Sequence, residues 1–173
     1  FNPKFDFGSK SYSDSFSSIQ NLVSDMEDGD VQALLVRGAD PVYGIPAATG
    51  FKDALRKVPL IVSFSGHMDD TTAVADVILP EHDPLEDWGT HVPEPGPGYQ
   101  MVGFQQAVVR PLFEDRGVHL GTKSFIEVLM ALAQVLEVDL GLEGESSREI
   151  IRADMNKIYD ERNIGSIDMK KIF

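Results

Sequence analysis

Cysteine is absent from these 173 residues. That excludes disulfides, thiolate zinc sites and iron–sulfur ligation within the chain, and it leaves the compartment open. Positive charge is scarce: 15 lysines and arginines stand against 28 aspartates and glutamates, for a formal net charge of -13. Nucleic acid and anionic membrane surfaces are therefore not expected partners, because both would repel the chain. No run approaches the roughly 18 apolar residues of a membrane span, and the N-terminus lacks the pattern of a signal peptide. The usual motifs are missing as well. GxGxxG, GxxxxGK[ST], GxSxG and HExxH do not occur, so ordinary dinucleotide, P-loop, hydrolase-elbow and zincin chemistry have no starting point. The chain opens on Phe1 instead of methionine, as expected of a processed or excised segment.

What is present is a 42% hydrophobic composition, enough to build a core. Residues 1–13 are expected to be a lead-in linker. Phe16, Ile19, Leu22, Val23 and Met26 fall on one face of a helix over 14–27. "VQALLVRG", residues 31–38, is a nearly continuous apolar run closed by glycine, as in a buried parallel strand. A short helix through Phe51, Leu55 and Val58 follows, then a second strand in "PLIVSFSG", a helical turn at 70–75 and a third strand in "DVILP". This alternation predicts an α/β fold: a Rossmann-like, three-layer parallel sheet with flanking helices.

"WGTHVPEPGPGYQ" is too punctuated by proline and glycine for regular structure, and residues 99–113 read as further strand or extended edge. Thr122 is expected to cap a helix to about Glu137, with Phe125, Val128, Leu129, Leu132, Val135 and Leu136 inward. "SSRE", Ser146 to Glu149, is a capping box opening a helix with Ile150, Ile151, Met155, Ile158 and Tyr159. The α/β domain is expected over 14–137, with a linker and C-terminal helical extension over 138–173.

Parallel sheets hold ligands at the carboxyl ends of their strands. Two such ends are visible. "GADP" offers Gly38, Asp40 and Pro41, either as a ligand loop or as a proline-fixed Asx turn. "SGHMDDTT" offers Ser65, Asp70 and Thr71, either to a ligand or as acids at a helix N-terminus. Metal ligation is not expected: His67 and His82 are separated by a helix and a strand, with no ligand spacing. Asp76 is expected to cap the turn before the third strand, and Glu81, Asp83 and Asp87 to be surface acids. No serine pairs with a histidine for nucleophilic work.

"ALLVRGADPVYGIP", "ALRKVPLIVSFSGHMDDTTAVADVILPEHDPLEDWGT" and "FIEVLMALAQVLE" together resemble a domain of the molybdopterin oxidoreductases, the dimethyl-sulfoxide-reductase superfamily. The resemblance covers about Val31 to Glu137 and is similar to the family's third domain. The variant around "SFSGHMDD" and "ADVILPEHDPLEDWG" is nearer to the molybdopterin-like subunit of alternative complex III and related quinone-reductase complexes. The resemblance implies a large subunit of a respiratory electron-transfer complex, on the outer, periplasmic face of a bacterial inner membrane. This domain would there form one wall of a molybdopterin guanine dinucleotide pocket.

Gly38, Asp40 and Pro41 then occupy the family's GxNP loop, Asp70 and Thr71 its Glu-Thr pair, and Ser65 the end of its second strand. Glu86 falls on the acid before Gly89 and Thr90. Aspartate stands where the family has asparagine, and the family's Asn-x-Glu-Gly-Arg segment is replaced by "HVPEPGPGYQ". A carboxylate repels a diphosphate, and the lost arginine removes a contact to it. These departures imply the alternative, a cofactor-free scaffold that docks iron–sulfur or cytochrome partners. The expected partners are the remaining domains of a longer parent chain and an iron–sulfur subunit or domain. No residue of the chain is expected to be catalytic or to bind a metal.

Overall fold

The computed structural model describes residues 15–91, 103–111 and 121–162, with side chains to 157. The expected lead-in linker, most of the proline-rich loop, the tail and the side chains of Ile158 and Tyr159 lie outside the described residues.

Three parallel strands form the central sheet in the order β1 (Leu34–Val36), β2 (Ile61–Ser63), β3 (Val77–Ile78). Leu34 pairs with Ile61, Leu35 with Val62 and Val62 with Val77. The α/β class with a parallel sheet is as the alternation of elements predicted.

One face of the sheet is packed by two helices. α1 (Phe16–Asp28) turns Val23 and Met26 inward and ends at Gly29, whose φ of 83° lets its amide reach back to Asp25 and Met26. α3 (Phe51–Leu55) supplies Phe51, Ala54 and Leu55, and with Val58 and Ile61 these residues make the core, with Leu34 beside it. α3 is shorter than expected, yet Val58 is still buried in the turn that follows. A four-residue helix α2 (Pro41–Gly44) leaves β1, with Pro41 at its first position, where no amide partner is needed.

Several expectations are corrected. The turn at 70–75 is a 3-10 turn over Thr72–Val74, and β3 is only two residues long. Asp76 does not cap that turn; its carboxylate accepts the Ile61 amide at 2.8 Å, joining β2 to β3. Part of the punctuated loop is a strand: β4 (Gly89–His91) pairs antiparallel with β5 (Gly103–Gln105) in a separate ribbon.

α4 (Phe125–Val135) begins at Ser124, and Thr122 does not cap it; the Thr122 hydroxyl instead meets His82 Nδ1 at 3.0 Å. Of its expected inward residues, Phe125, Val128 and Leu129 are half-buried, whereas Leu132, Val135 and Leu136 are exposed and Ala133 is buried. The segment is apolar nearly all round, so its periodicity marks no single face. α5 (Ser147–Arg162) opens with half of the expected capping box: Ser146 Oγ accepts the Glu149 amide at 3.4 Å. The Glu149 carboxylate reaches back to the Glu145 amide at 2.9 Å, one residue beyond the usual partner.

α4 closes with a Schellman arrangement, the Val138 amide donating to Ala133 O at 2.9 Å. The residue that must turn left-handed there is Glu137, φ 56°, a conformation that carries a steric cost for any side chain. Glu137→Gly is expected to raise stability by about 0.5–1 kcal/mol, the relief of strain exceeding the added freedom of the unfolded chain. Urea denaturation of the two proteins measures it; a destabilised variant would refute it.

Candidate functional site: the cleft at the strand ends

The carboxyl ends of β1 and β2 open into a cleft of about 700 Å³. Its lining includes Gly38, Asp40, Ser65, His67, Asp69, Glu81, His82, Asp83, Glu86 and Thr122. Gly38 has φ 65° with open space around it, so the backbone turn and not crowding calls for glycine.

Asp40 ties the two loops together. Its Oδ1 accepts from Thr71 Oγ1 at 2.6 Å, from the Thr71 amide at 3.1 Å and from the Tyr43 amide at 3.3 Å. Its Oδ2 accepts from the Asp70 amide at 3.3 Å. The Tyr43 bond is the Asx-type cap of α2 that the "DP" pair suggested. The bonds to Asp70 and Thr71 reach across 30 and 31 residues. Thr71 is 1% exposed and its Oγ1 also accepts the Val42 amide at 3.0 Å, so its hydroxyl is fully engaged.

The "SGHMDDTT" loop carries its own bonds. Ser65 Oγ donates to His67 O at 2.9 Å and accepts the His67 amide at 3.1 Å. Beneath it, Ser63 and Thr72 hydroxyls meet at 2.7 Å inside the core. Asp69, which the sequence did not single out, accepts the Thr72 amide at 2.7 Å and starts the 3-10 turn.

Of the seven sequence candidates, Gly38, Asp40, Ser65 and Glu86 line the cleft. Pro41, Asp70 and Thr71 lie behind it, Pro41 in α2 and the other two in the clasp around Asp40. His67 and His82, separate in sequence, share the cleft, because the loop after β3 folds back over the end of β2. Among the described residues no group of three histidines or acids has metal-binding geometry. The acids expected on the surface are more engaged than that. Glu81 pairs with Arg37 at 2.7 Å, and the Arg37 guanidinium lies 4.5 Å from the Phe125 ring centroid. Asp87 accepts the Trp88 amide at 2.8 Å and lies 3.5 Å from the buried Ser147 hydroxyl.

Two carboxyls of the cleft sit below their ordinary range. The Thr71 hydroxyl lowers Asp40 most, desolvation opposes it, and the amides of Tyr43, Asp70 and Thr71 each add a smaller lowering, so that the net shift is downward. Thr72, by side chain and amide, lowers Asp69. Both groups thus bind protons more weakly folded than unfolded. Their stabilisation is complete above the unfolded value of 3.8 and is lost as pH falls through the lower folded values. The urea midpoint is accordingly expected to fall below pH 3.8, and to fall less steeply in Asp40→Asn; equal slopes in the two proteins would refute it.

Comparison with known proteins adds the decisive observation. The sequence profile described as molybdopterin oxidoreductase matches residues 11–117, more than half of the chain. The chain belongs to the molybdopterin oxidoreductase family. It is 34% identical over 111 residues to the menaquinone reductase, molybdopterin-binding-like subunit, of Nitratidesulfovibrio vulgaris, covering 64% of this chain and 15% of that protein. The assimilatory nitrate reductase catalytic subunit of Bacillus subtilis is 34% identical over 73 residues, 42% of this chain and 10% of that one. A tetrathionate reductase subunit from Salmonella typhimurium is 31% identical over 86 residues, 47% of this chain and 8% of that one. The chain thus spans 8–15% of the length of these relatives. The family profile covers β1, β2, β3 and the whole Asp40 clasp.

Proposed function

We propose that the chain is the α/β domain of a molybdopterin-oxidoreductase-like large subunit in a respiratory electron-transfer complex, and that its cleft serves as scaffold without gripping a pterin guanine dinucleotide. Residues 14–137 are the module, placed on the periplasmic face beside an iron–sulfur partner.

The carrying observation is that Asp40, Ser65 and Thr71, the polar groups expected to hold the dinucleotide, are already spent within the fold. A guanine dinucleotide needs acceptors for its base edge and donors or cations for its diphosphate. Asp40 already accepts four hydrogen bonds, Thr71 is buried, and the Ser65 hydroxyl both donates and accepts within its own loop. Asp40 and Asp69 are held ionised by their donors, and the described lining contains no lysine or arginine. A diphosphate would meet net negative charge there. The residues present therefore do not fit the group, and no reaction step is assigned to them.

The test is metal and pterin analysis of the full-length parent purified with its partners. The expected result is no molybdenum or tungsten above trace and no guanine nucleotide released by acid from a folded, assembled preparation. Stoichiometric metal with released guanine nucleotide would instead support the first expectation, in which Gly38, Asp40, Pro41, Ser65, Asp70, Thr71 and Glu86 line an occupied pocket.

A further inference from the structure

Strand register divides the sheet into two faces with different fates. Leu34 and Ile61, paired side by side, pack into the core with α1 and α3. Leu35, Val62 and Val77, also in register, form a row on the opposite face. Val62 in the middle is buried, but Leu35 is 44% exposed and Val77 39%.

The cause is topological. A crossover between parallel strands covers the face on which it runs. The crossover from β1 to β2 runs through α3 on the core face. The crossover from β2 to β3 is the short turn at Thr72–Val74, and the Thr72 hydroxyl meets Ser63 on that same face. Among the described residues, the opposite face receives no crossover helix. α4 meets that face at its carboxyl end, where Phe125 packs edge-on against Phe64 with centroids 4.8 Å apart. A parallel sheet is ordinarily covered by helices on both faces.

We infer that the Leu35–Val62–Val77 row is the seat of an amphipathic helix supplied by the parent polypeptide from outside these 173 residues. The inference rests on the proposal that the chain is part of a longer subunit. Relatives of which it spans 15% or less have ample chain to provide the helix. A helix is the occupant because the row is an in-register, apolar strip across three strands, the surface that a crossover helix normally buries. The row carries no charged residue, which distinguishes it from the acidic cleft and leaves hydrophobic burial as the recognition chemistry.

The experiment is site-specific photo-crosslinking in the full-length parent within its complex, with Leu35→p-benzoylphenylalanine and, separately, Val77→p-benzoylphenylalanine. Adducts are mapped by mass spectrometry after mixing light and heavy isotope-labelled preparations. Both positions are expected to give a light–light or heavy–heavy adduct to one apolar, helix-spaced peptide of the parent outside residues 1–173. A light–heavy adduct would replace the helix with a second copy, an adduct to a different polypeptide would replace it with a partner, and an adduct within residues 1–173 would place the cover in this chain. Each overturns the inference, as does a solvent-quenched probe. Hydroxyl-radical footprinting of the unmodified parent covers the case of a variant that fails to fold. Leu35 and Val77 should label no more than the buried Val62 between them, and labelling fivefold above Val62 overturns the inference. Should the native protein's intact mass match 173 residues, the longer-subunit proposal itself has failed, and the inference with it.

Discussion

Phe64→Ala is expected to cost about 3–5 kcal/mol, the range for removing a fully buried aromatic ring. Phe64 is 1% exposed and sits where β2 leaves the sheet, one residue past the last ladder pair. Its ring meets Phe125 edge-on at an interplanar angle of 86°, and Arg37 lies over the same Phe125 ring while pairing with Glu81. Phe64 thus anchors the Phe125 ring at the start of α4, and through that ring Arg37 links the loop after β1 to Glu81 after β3. Truncation leaves a cavity that the rigid strand cannot close, and it also releases the anchor of α4. Against a typical total of about 5–15 kcal/mol, this is a large fraction of the stability. Denaturation in urea gives the number, and a loss below about 1 kcal/mol would mean that α4 is held by something other than this ring pair. Phe64→Leu, which keeps most of the volume, is expected to restore more than half of the loss.

That arrangement was only half legible in the sequence. The apolar runs at 31–38 and 59–66, each followed by glycine, identified β1 and β2 because a buried strand must be apolar on both faces. The row of exposed apolar residues could not be seen for the same reason: a strand apolar on both faces does not say whether both are covered within the chain. α4 repeats the difficulty, since Leu132, Val135 and Leu136 are apolar yet exposed. β4 escaped because its partner lies 14 residues away in β5, across proline and glycine that argue locally against any strand. In the cleft, "DP" announced the local cap on Tyr43, but no local signal marks a bond across 31 residues. Asp69 is hidden beside Asp70, although its position three residues before Thr72 is the spacing that an N-capping carboxylate needs.

Thr71→Val is expected to cost about 1–3 kcal/mol and to open the clasp between the two strand-end loops. Valine preserves the shape of the side chain and removes its hydroxyl. Two losses follow together: the donor to Asp40 Oδ1 at 2.6 Å and the acceptor for the Val42 amide at 3.0 Å. With the site 1% exposed, water cannot readily replace either bond, so the Val42 N–H is left unsatisfied. The Asp40 carboxyl loses the largest cause of its depressed pKa and should titrate nearer to 3.8, which carboxyl NMR detects.

Thr71→Ser, which keeps the hydroxyl, should restore most of the stability and the low Asp40 pKa. An unchanged pKa in Thr71→Val would show that the backbone amides alone hold the carboxylate. Asp40→Asn separates geometry from charge. An amide whose oxygen sits at Oδ1 keeps the bonds from Thr71 Oγ1, the Thr71 amide and the Tyr43 amide, and loses only the Asp70 bond at 3.3 Å. The clasp therefore tolerates the asparagine of the family's GxNP loop. What aspartate adds is one long hydrogen bond and a fixed negative charge at the mouth of the cleft. A clasp that stands in Asp40→Asn and falls in Thr71→Val would place the departure at position 40 in the electrostatics of the cleft and not in its architecture.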